Sequence, residues 1–156
     1  MKQKTIEFTG LMLAALVTGV FWGTWFTLTR SLENFSGTEF IHIGKTIISN
    51  VALPMRILMP ATLLVMLFVV GQTFRTSKLS FCLYCLSFLL MLLTLIITVG
   101  VEVPIDNQIK TWTALSIPSN WESLKHTWNQ FHTLRTFTSI ASMGFFALGM
   151  MNRIHK

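Results

Sequence analysis

The chain is short of charge. Of its 156 residues 12% are charged, six acids against twelve Lys and Arg, where a soluble domain carries about 25%. Half of the usual polar coat is missing, and in water such a chain would expose far too much apolar surface. The basic residues that give the net charge of +6 stand singly. No Lys/Arg run with interleaved aromatics tracks a phosphate backbone, so nucleic acid is excluded as a partner. Cysteine is almost absent: Cys82-Leu83-Tyr84-Cys85 is a C-x-x-C, but no second pair exists to relay electrons. Internal repeats and low-complexity tracts are lacking as well, and a chain of this length makes one domain.

What the chain has in excess is apolar length: 52% of residues are hydrophobic and the mean hydropathy is +0.61. In lipid the shortage of charge costs nothing. Four stretches suit a bilayer, which needs about 20 apolar residues per helix. Spans are expected at about 8–30 (apolar core Phe8 to Leu28), 51–74, 79–101 and 121–151. Met1-Lys2-Gln3-Lys4 has the look of a signal peptide's basic start. The apolar run behind it is too long, however, and no small-x-small cleavage site closes it, so a retained helix is expected. In the second span, Pro54 and Pro60 flank Arg56. The fourth is apolar from Leu134 to Met151 but begins near Trp121, where Ser119 and Glu122 have the spacing of a capping box. Ser36-Gly37-Thr38-Glu39 marks another helix start, and Phe40 to Val51 reads as a partly polar, amphipathic segment leading into the second span. Pro104 to Ser119 is expected to be irregular. The resulting fold class is all-α: a four-transmembrane-helix bundle with an amphipathic segment between helices 1 and 2, residues 1–156 forming one integral membrane domain.

Basic residues set the topology. Lys2 and Lys4, Arg75 and Lys78, and Arg153 and Lys156 share one side if both termini are cytoplasmic, as expected for a multi-pass protein of the cell (inner) membrane. The other side then receives Glu33, Glu39, Glu102, Asp106 and Glu122.

Three polar groups converge on that non-cytoplasmic side. Trp121, Lys125, Trp128, His132 and Arg135 follow one helical face, a stripe of indoles, cations and an imidazole that lipid contact does not select. Arg135 lies a turn or more inside the apolar section, where a charge is expensive and marks either a functional site or an internal partner. The plain structural reading pairs Arg135 with Glu102 or Asp106 as a brace, with the tryptophans as an interfacial belt. Glu102, Asp106 and Asn107 form the second group, at the end of the third span; acid–base chemistry or anion binding needs such a convergence, although an ordinary helix exit after Pro104 also explains it. His42, Asn50 and Arg56 are the third group. One shared pocket is the economical hypothesis. His42, His126 and His132 with Glu39, Glu102 or Asp106 could ligate a metal, but none has a dedicated spacing, so no metal site is assigned. The cysteines, far from this cluster, read as small apolar residues of a membrane helix.

At Val103-Pro104-Ile105-Asp106-Asn107, then Trp121, then Trp128-Asn129-Gln130-Phe131-His132-Thr133-Leu134-Arg135-Thr136, the chain resembles the anthrone-oxygenase-like family of small four-helix membrane proteins. Asn50 and Pro54 also fall where that family tends to carry an Asn and a Pro. The resemblance covers nearly the whole chain, its specific part about 35 residues. It implies an oxygenase that converts an anthrone to an anthraquinone without flavin, haem or metal, hence no cofactor. Such chemistry needs a base, a cationic or hydrogen-bonding group for the enolate, and an aromatic-lined pocket. Carried over, His132 is the base and Arg135 the oxyanion partner, both catalytic; Asn107 orients the substrate and Trp121 and Trp128 stack on it, with Asn50, Arg56 and His42 as further binding candidates. Asp106 stands where other members often have an apolar residue. The expected partners are the lipid bilayer and a small lipophilic or aromatic ligand, with self-association left open. The alternative is a non-enzymatic binding or accessory protein that holds a lipid, quinone or partner subunit; a purely structural bundle is a third reading. Four spans are too few for an ordinary secondary transporter that does not oligomerise.

Overall fold

A computed structural model describes residues 2–74 and 77–154. Arg75 and Lys156, two of the residues on which the topology was read, lie outside the described residues. The described chain is all-α, with no strand; residues 112–120 form an irregular connection. Helix α1 spans Lys2–Thr27 and runs into a 3-10 turn, Thr29–Asn34; α2 is Gly37–Thr73; α3 is Lys78–Ile97, followed by a π-helical turn Thr98–Glu102 and α4, Val103–Thr111; α5 is Trp121–Ile154. Three helical stretches, Gln3–Asn34, Gly37–Thr73 and Lys78–Thr111, are long and apolar enough to cross a membrane. α5 has the length but not the composition, because Glu122, Lys125, His126, Asn129, Gln130, His132 and Arg135 crowd its first half.

The helix starts follow local chemistry. Ser36 and Glu39 form both arms of a capping box, the Ser36 N–H donating to Glu39 Oε2 at 2.9 Å and the Glu39 N–H to Ser36 Oγ at 3.4 Å. The segment after it is not a separate amphipathic helix; it is the first three turns of α2. Pro54 and Pro60 lie inside this helix without ending it. Each lacks the N–H that would meet the carbonyl four residues back, which leaves the carbonyls of Asn50 and Arg56 without their helical donors. α5 starts at Trp121, with the Leu124 N–H on the Asn120 carbonyl, so the flanking residue is Asn120 and not Ser119.

The expectation that Pro104 opens an irregular loop is also corrected. Helix continues to Thr111 because the π turn absorbs the proline: the Val103 N–H bonds Thr98 O, five residues back, and Pro104 falls in the first turn of α4, where no N–H is required. The extra residue resets the helical phase. Glu102 turns inward, fully buried, and Ile105 and Ile109 pack against Phe40, Ile41 and Ile48 of α2.

The four long stretches form a bundle in which α5 packs between α1 and α3, and α2 completes the ring. Its polarity is inverted. Phe8, Leu16, Leu53, Leu64, Leu89 and Leu148 point outward, while Thr18, Ser87, Thr94, Ser139 and Ser142 are buried. Small hydroxyl residues allow close approach and bond across the helices: Ser87 Oγ donates to Ser142 O and Ser142 Oγ to Ser87 O, both at 2.7 Å, and Thr94 and Thr138 meet at 3.0 Å. Gly149 of α5 lies against the ring of Tyr84, where a Cβ would meet Tyr84 Cε1 at 3.0 Å. At the end where α1 begins and α5 finishes, buried Glu7 pairs with Arg153, and Asn152 Nδ2 donates to Ser80 Oγ at 2.8 Å. The opposite end holds the α1–α2 and α4–α5 connections and the polar groups.

Candidate functional site

The stripe on α5 folds into one ladder. Lys125 Nζ lies 4.8 Å over the ring of Trp121. Trp128 and His132 stack with ring centroids 4.8 Å apart and planes 7° from parallel. One turn deeper, Arg135 reaches back to His132 Nδ1 from Nε at 3.1 Å and Nη2 at 2.8 Å. Arginine only donates, so Nδ1 is the acceptor and the ring proton sits on Nε2. Nε2 itself is buried and makes no hydrogen bond of good geometry, with the main chain of Phe21 alongside.

Arg135 is the hub. Nη2 forms an ion pair with Glu102 Oε2 at 2.9 Å, Nη1 donates to Thr98 Oγ1 at 3.4 Å, and the guanidinium lies 4.7 Å over the ring of Phe21. Both oxygens of Glu102 are buried and neither accepts a hydrogen bond of good geometry, so its contact with Arg135 is an ion pair by proximity. Asp106, one turn on, accepts from Trp128 Nε1 at 3.2 Å and adds a second negative charge near Arg135. Three of the five guanidinium N–H groups make hydrogen bonds, two to His132 Nδ1 and one to Thr98 Oγ1, which leaves one on Nη2 beside Glu102 and one on Nη1 uncommitted.

Phe21, Thr98, Asp106, Trp128, His132 and Arg135 border a cavity of about 280 Å³ between α1, α2, α3–α4 and α5, near the lower end of the roughly 300–1,000 Å³ usual for small-molecule sites. Its walls are largely apolar, including Phe21, Val51, Met55, Met59, Leu95 and Val99; its polar residues are Thr24, Arg56, Thr98, Asp106, Asn107, Lys110, His132 and Arg135. Five of the predicted site residues therefore share it: Arg56, Asn107, Trp128, His132 and Arg135. Three do not. Trp121 packs on Phe40 at 6.1 Å, while His42 and Asn50 are exposed on α2 and outside the lining. On α2, His42 lies fourteen residues, roughly 21 Å, from Arg56 and beyond the end of the cavity, while Asn50 is turned roughly a third of a turn away from Arg56, which is why the single pocket collects only the last of them.

The sequence reading passed over Phe21, Thr98 and Lys110, and gave Glu102 and Asp106 only as brace or acid–base partners. A pair spacing could have flagged Thr98 and Glu102, four residues apart just before Pro104. Nothing local distinguishes Phe21 from the other aromatics of α1. Among the described residues no three His, Cys, Asp or Glu side chains gather as metal ligands, and the histidines weighed for that role diverge, His42 and His126 being exposed.

The sequence profile described as anthrone oxygenase matches residues 46–145. The chain belongs to the anthrone oxygenase family. No curated protein and no solved structure matches it. The anthrone oxygenase match runs from early α2 to the middle of α5, so it takes in Arg56, the π turn, Asp106, Asn107, Trp128, His132 and Arg135. The α1 wall of the cavity, Val20, Phe21 and Thr24, lies outside the match, as does His42.

Proposed function

We propose that this anthrone oxygenase family member is a membrane-embedded oxygenase that needs no flavin, haem or metal and acts on a small aromatic, lipophilic substrate in the cavity under α4. In this reading the bundle spans the bilayer four times. α5 crosses with its apolar second half exposed to lipid; in its polar first half Trp128, His132 and Arg135 are buried, while Glu122, His126 and Gln130 remain exposed. Lys4, Lys78 and Arg153 at the terminal end favour cytoplasmic termini.

One observation carries the reading: a carboxylate, an arginine and an imidazole meet in a cavity whose remaining walls are mostly apolar. The reaction needs an activated C–H, and the chain's residues divide the work. Asp106 borders the cavity and takes the proton from the substrate's benzylic methylene. The imidazole is less suited to that step, because the Nδ1 lone pair of His132 already receives Arg135. The free Nη1–H of Arg135 and the Nε2–H of His132 hold the enolate oxygen, an anion that exists only after deprotonation. Glu102 keeps the guanidinium charge-balanced and aimed. Trp128, locked between Asp106 and His132, supplies the flat wall for an aromatic ring. The carbanion carbon then adds O2 to give a peroxide; this takes up a proton and loses water, leaving a ketone. The methylene and one O2 become one C=O and one H2O.

An oxygen electrode tests it. With purified protein and an anthrone, uptake of one O2 per substrate above the uncatalysed autoxidation is expected. Asp106→Asn should lose on the order of a hundredfold or more while staying folded. Uptake equal to autoxidation, or an Asp106→Asn protein as fast as wild type, would refute the enzyme. The alternative, a non-enzymatic holder of a lipid or quinone, uses the same cavity and would show a co-purifying ligand with no oxygen consumption.

A further inference from the structure

Arg56 sits on α2 among Leu53, Ile57 and Leu64, which all face outward. It is exposed, yet it borders the cavity, and among the described residues no carboxylate lies within ion-pair distance of it. An arginine on an apolar helix with no internal partner is held there for a group that comes from outside.

The cavity's lining shows where that group arrives. Arg56 and Pro60 on α2, and Val99, Val103, Asn107 and Lys110 on α3–α4, line the cavity and are also exposed. Positions 56 and 60 are one turn apart, and 99, 103, 107 and 110 follow one face of the facing helix. The cavity thus reaches the surface along a slot between these two helices. Its deep end, at Pro60 and Val99, is apolar. Two cations line the slot: Arg56, one turn from Pro60, and, nearer the α4–α5 connection, Lys110, whose Nζ donates to Asn107 Oδ1 at 3.0 Å.

We infer that this slot is a lateral portal through which an anionic amphiphile enters from the lipid layer, its carboxylate, phenolate or phosphate retained by Arg56 and Lys110 while its apolar body slides into the cavity toward Trp128 and Arg135. The inference rests on the reading of the cavity as a substrate site in a membrane. A cavity of about 280 Å³ has no room for the paired acyl chains of a phospholipid, so the occupant is a single compact body with one anionic group. The two mouth cations select for charge, and the apolar slot selects for a molecule that already partitions into the bilayer.

The test uses the full chain in phosphatidylcholine nanodiscs, with anthracene-2-carboxylate and its uncharged methyl ester as fluorescent probes. Wild type should bind the carboxylate saturably and more tightly than the ester. Arg56→Gln should shrink that preference about tenfold, the order expected for losing one charge-assisted contact, and Arg56→Lys should restore most of it. Val99→Trp should block the slot and weaken both probes. An unchanged preference in Arg56→Gln, or unchanged binding in Val99→Trp, would overturn the portal. Displacement of the probe by phosphatidylglycerol would also overturn it, making a phospholipid headgroup the occupant, whereas no displacement supports the small amphiphile. The two readings fail separately. Charge-selective binding without oxygen uptake from any anthrone sinks the oxygenase and keeps the portal; turnover undisturbed by Arg56→Gln and Val99→Trp does the reverse.

Discussion

Breaking the Arg135–Glu102 pair from one side should cost far more than removing it altogether. Glu102 is fully buried and Arg135 nearly so, with their charged atoms 2.9 Å apart. Taking away one partner of such a pair strands the other in a medium of low dielectric and typically costs about 3–5 kcal/mol. Glu102→Leu should fall at the lower end of that range, about 3 kcal/mol, because Asp106 remains close enough to act on Arg135. Arg135→Met strands Glu102 and also takes the donor from His132 Nδ1, so it should cost at least as much. The double variant Glu102→Leu, Arg135→Met leaves no uncompensated charge, and replacing a buried pair by apolar groups of similar size is often near neutral, so it should cost about 1 kcal/mol. The assay is reversible unfolding in mixed micelles titrated with a denaturing detergent, followed by helix content. The expected coupling between the two sites is several kcal/mol. Additive single changes, with the double variant the least stable of the three, would refute the buried pair and with it the account of what the π turn positions. The double variant should still consume no oxygen with an anthrone, which separates a brace from a working group: a brace would be dispensable once replaced.

Trp128→Phe keeps a flat ring on His132 but removes the Nε1–H that Asp106 accepts at 3.2 Å; turnover should fall about tenfold with a stability loss of about 1–2 kcal/mol, read by oxygen uptake and detergent unfolding in parallel. On the other half of α5, Gly149→Leu should destabilise by about 1–3 kcal/mol, because even a Cβ at that position would meet the Tyr84 ring at 3.0 Å. Gly144→Ala, where a Cβ meets nothing within 4 Å, should be neutral or gain up to about 1 kcal/mol from helix propensity. Equal effects at the two glycines would contradict the packing of α5 against α3.

The elements that were legible in the sequence are those set by local chemistry. Ser36 and Glu39 announce a helix start whichever helix follows, because both arms of the box lie within four residues. The stripe from Trp121 to Arg135 could be read off a period and appears as a stacked ladder. Less was legible where distant residues decide. Pro104 is a helix stop by local rule, and only the one-residue π insertion before it, stabilised by Ile105 and Ile109 packing on α2, carries the helix on. Pro54 and Pro60, read as part of the second span, do lie inside α2, since a helix enclosed by neighbours survives lost main-chain bonds. The buried serines and threonines were overlooked because they carry no charge and have no motif; their meaning comes from the partner across the interface, Ser142 for Ser87 and Thr138 for Thr94.

The same distinction explains the site. His42, Asn50 and Arg56 lie close in sequence and looked like one group, yet distance along α2 carries His42 past the end of the cavity and the helical twist turns Asn50 away from it, so only Arg56 borders it. Glu102 and Asp106 are both carboxylates one turn apart, and sequence alone treats them alike. Placement separates them: Glu102 is enclosed against Arg135 and balances its charge, whereas Asp106 borders the open volume beside Trp128 and can meet a substrate. Division of labour between two similar acids is what a proton transfer beside a fixed cation requires, one group committed and one available. The extra residue of the π turn sets the two carboxylates in this relation, so the feature least visible in the sequence is the one on which the proposed chemistry depends.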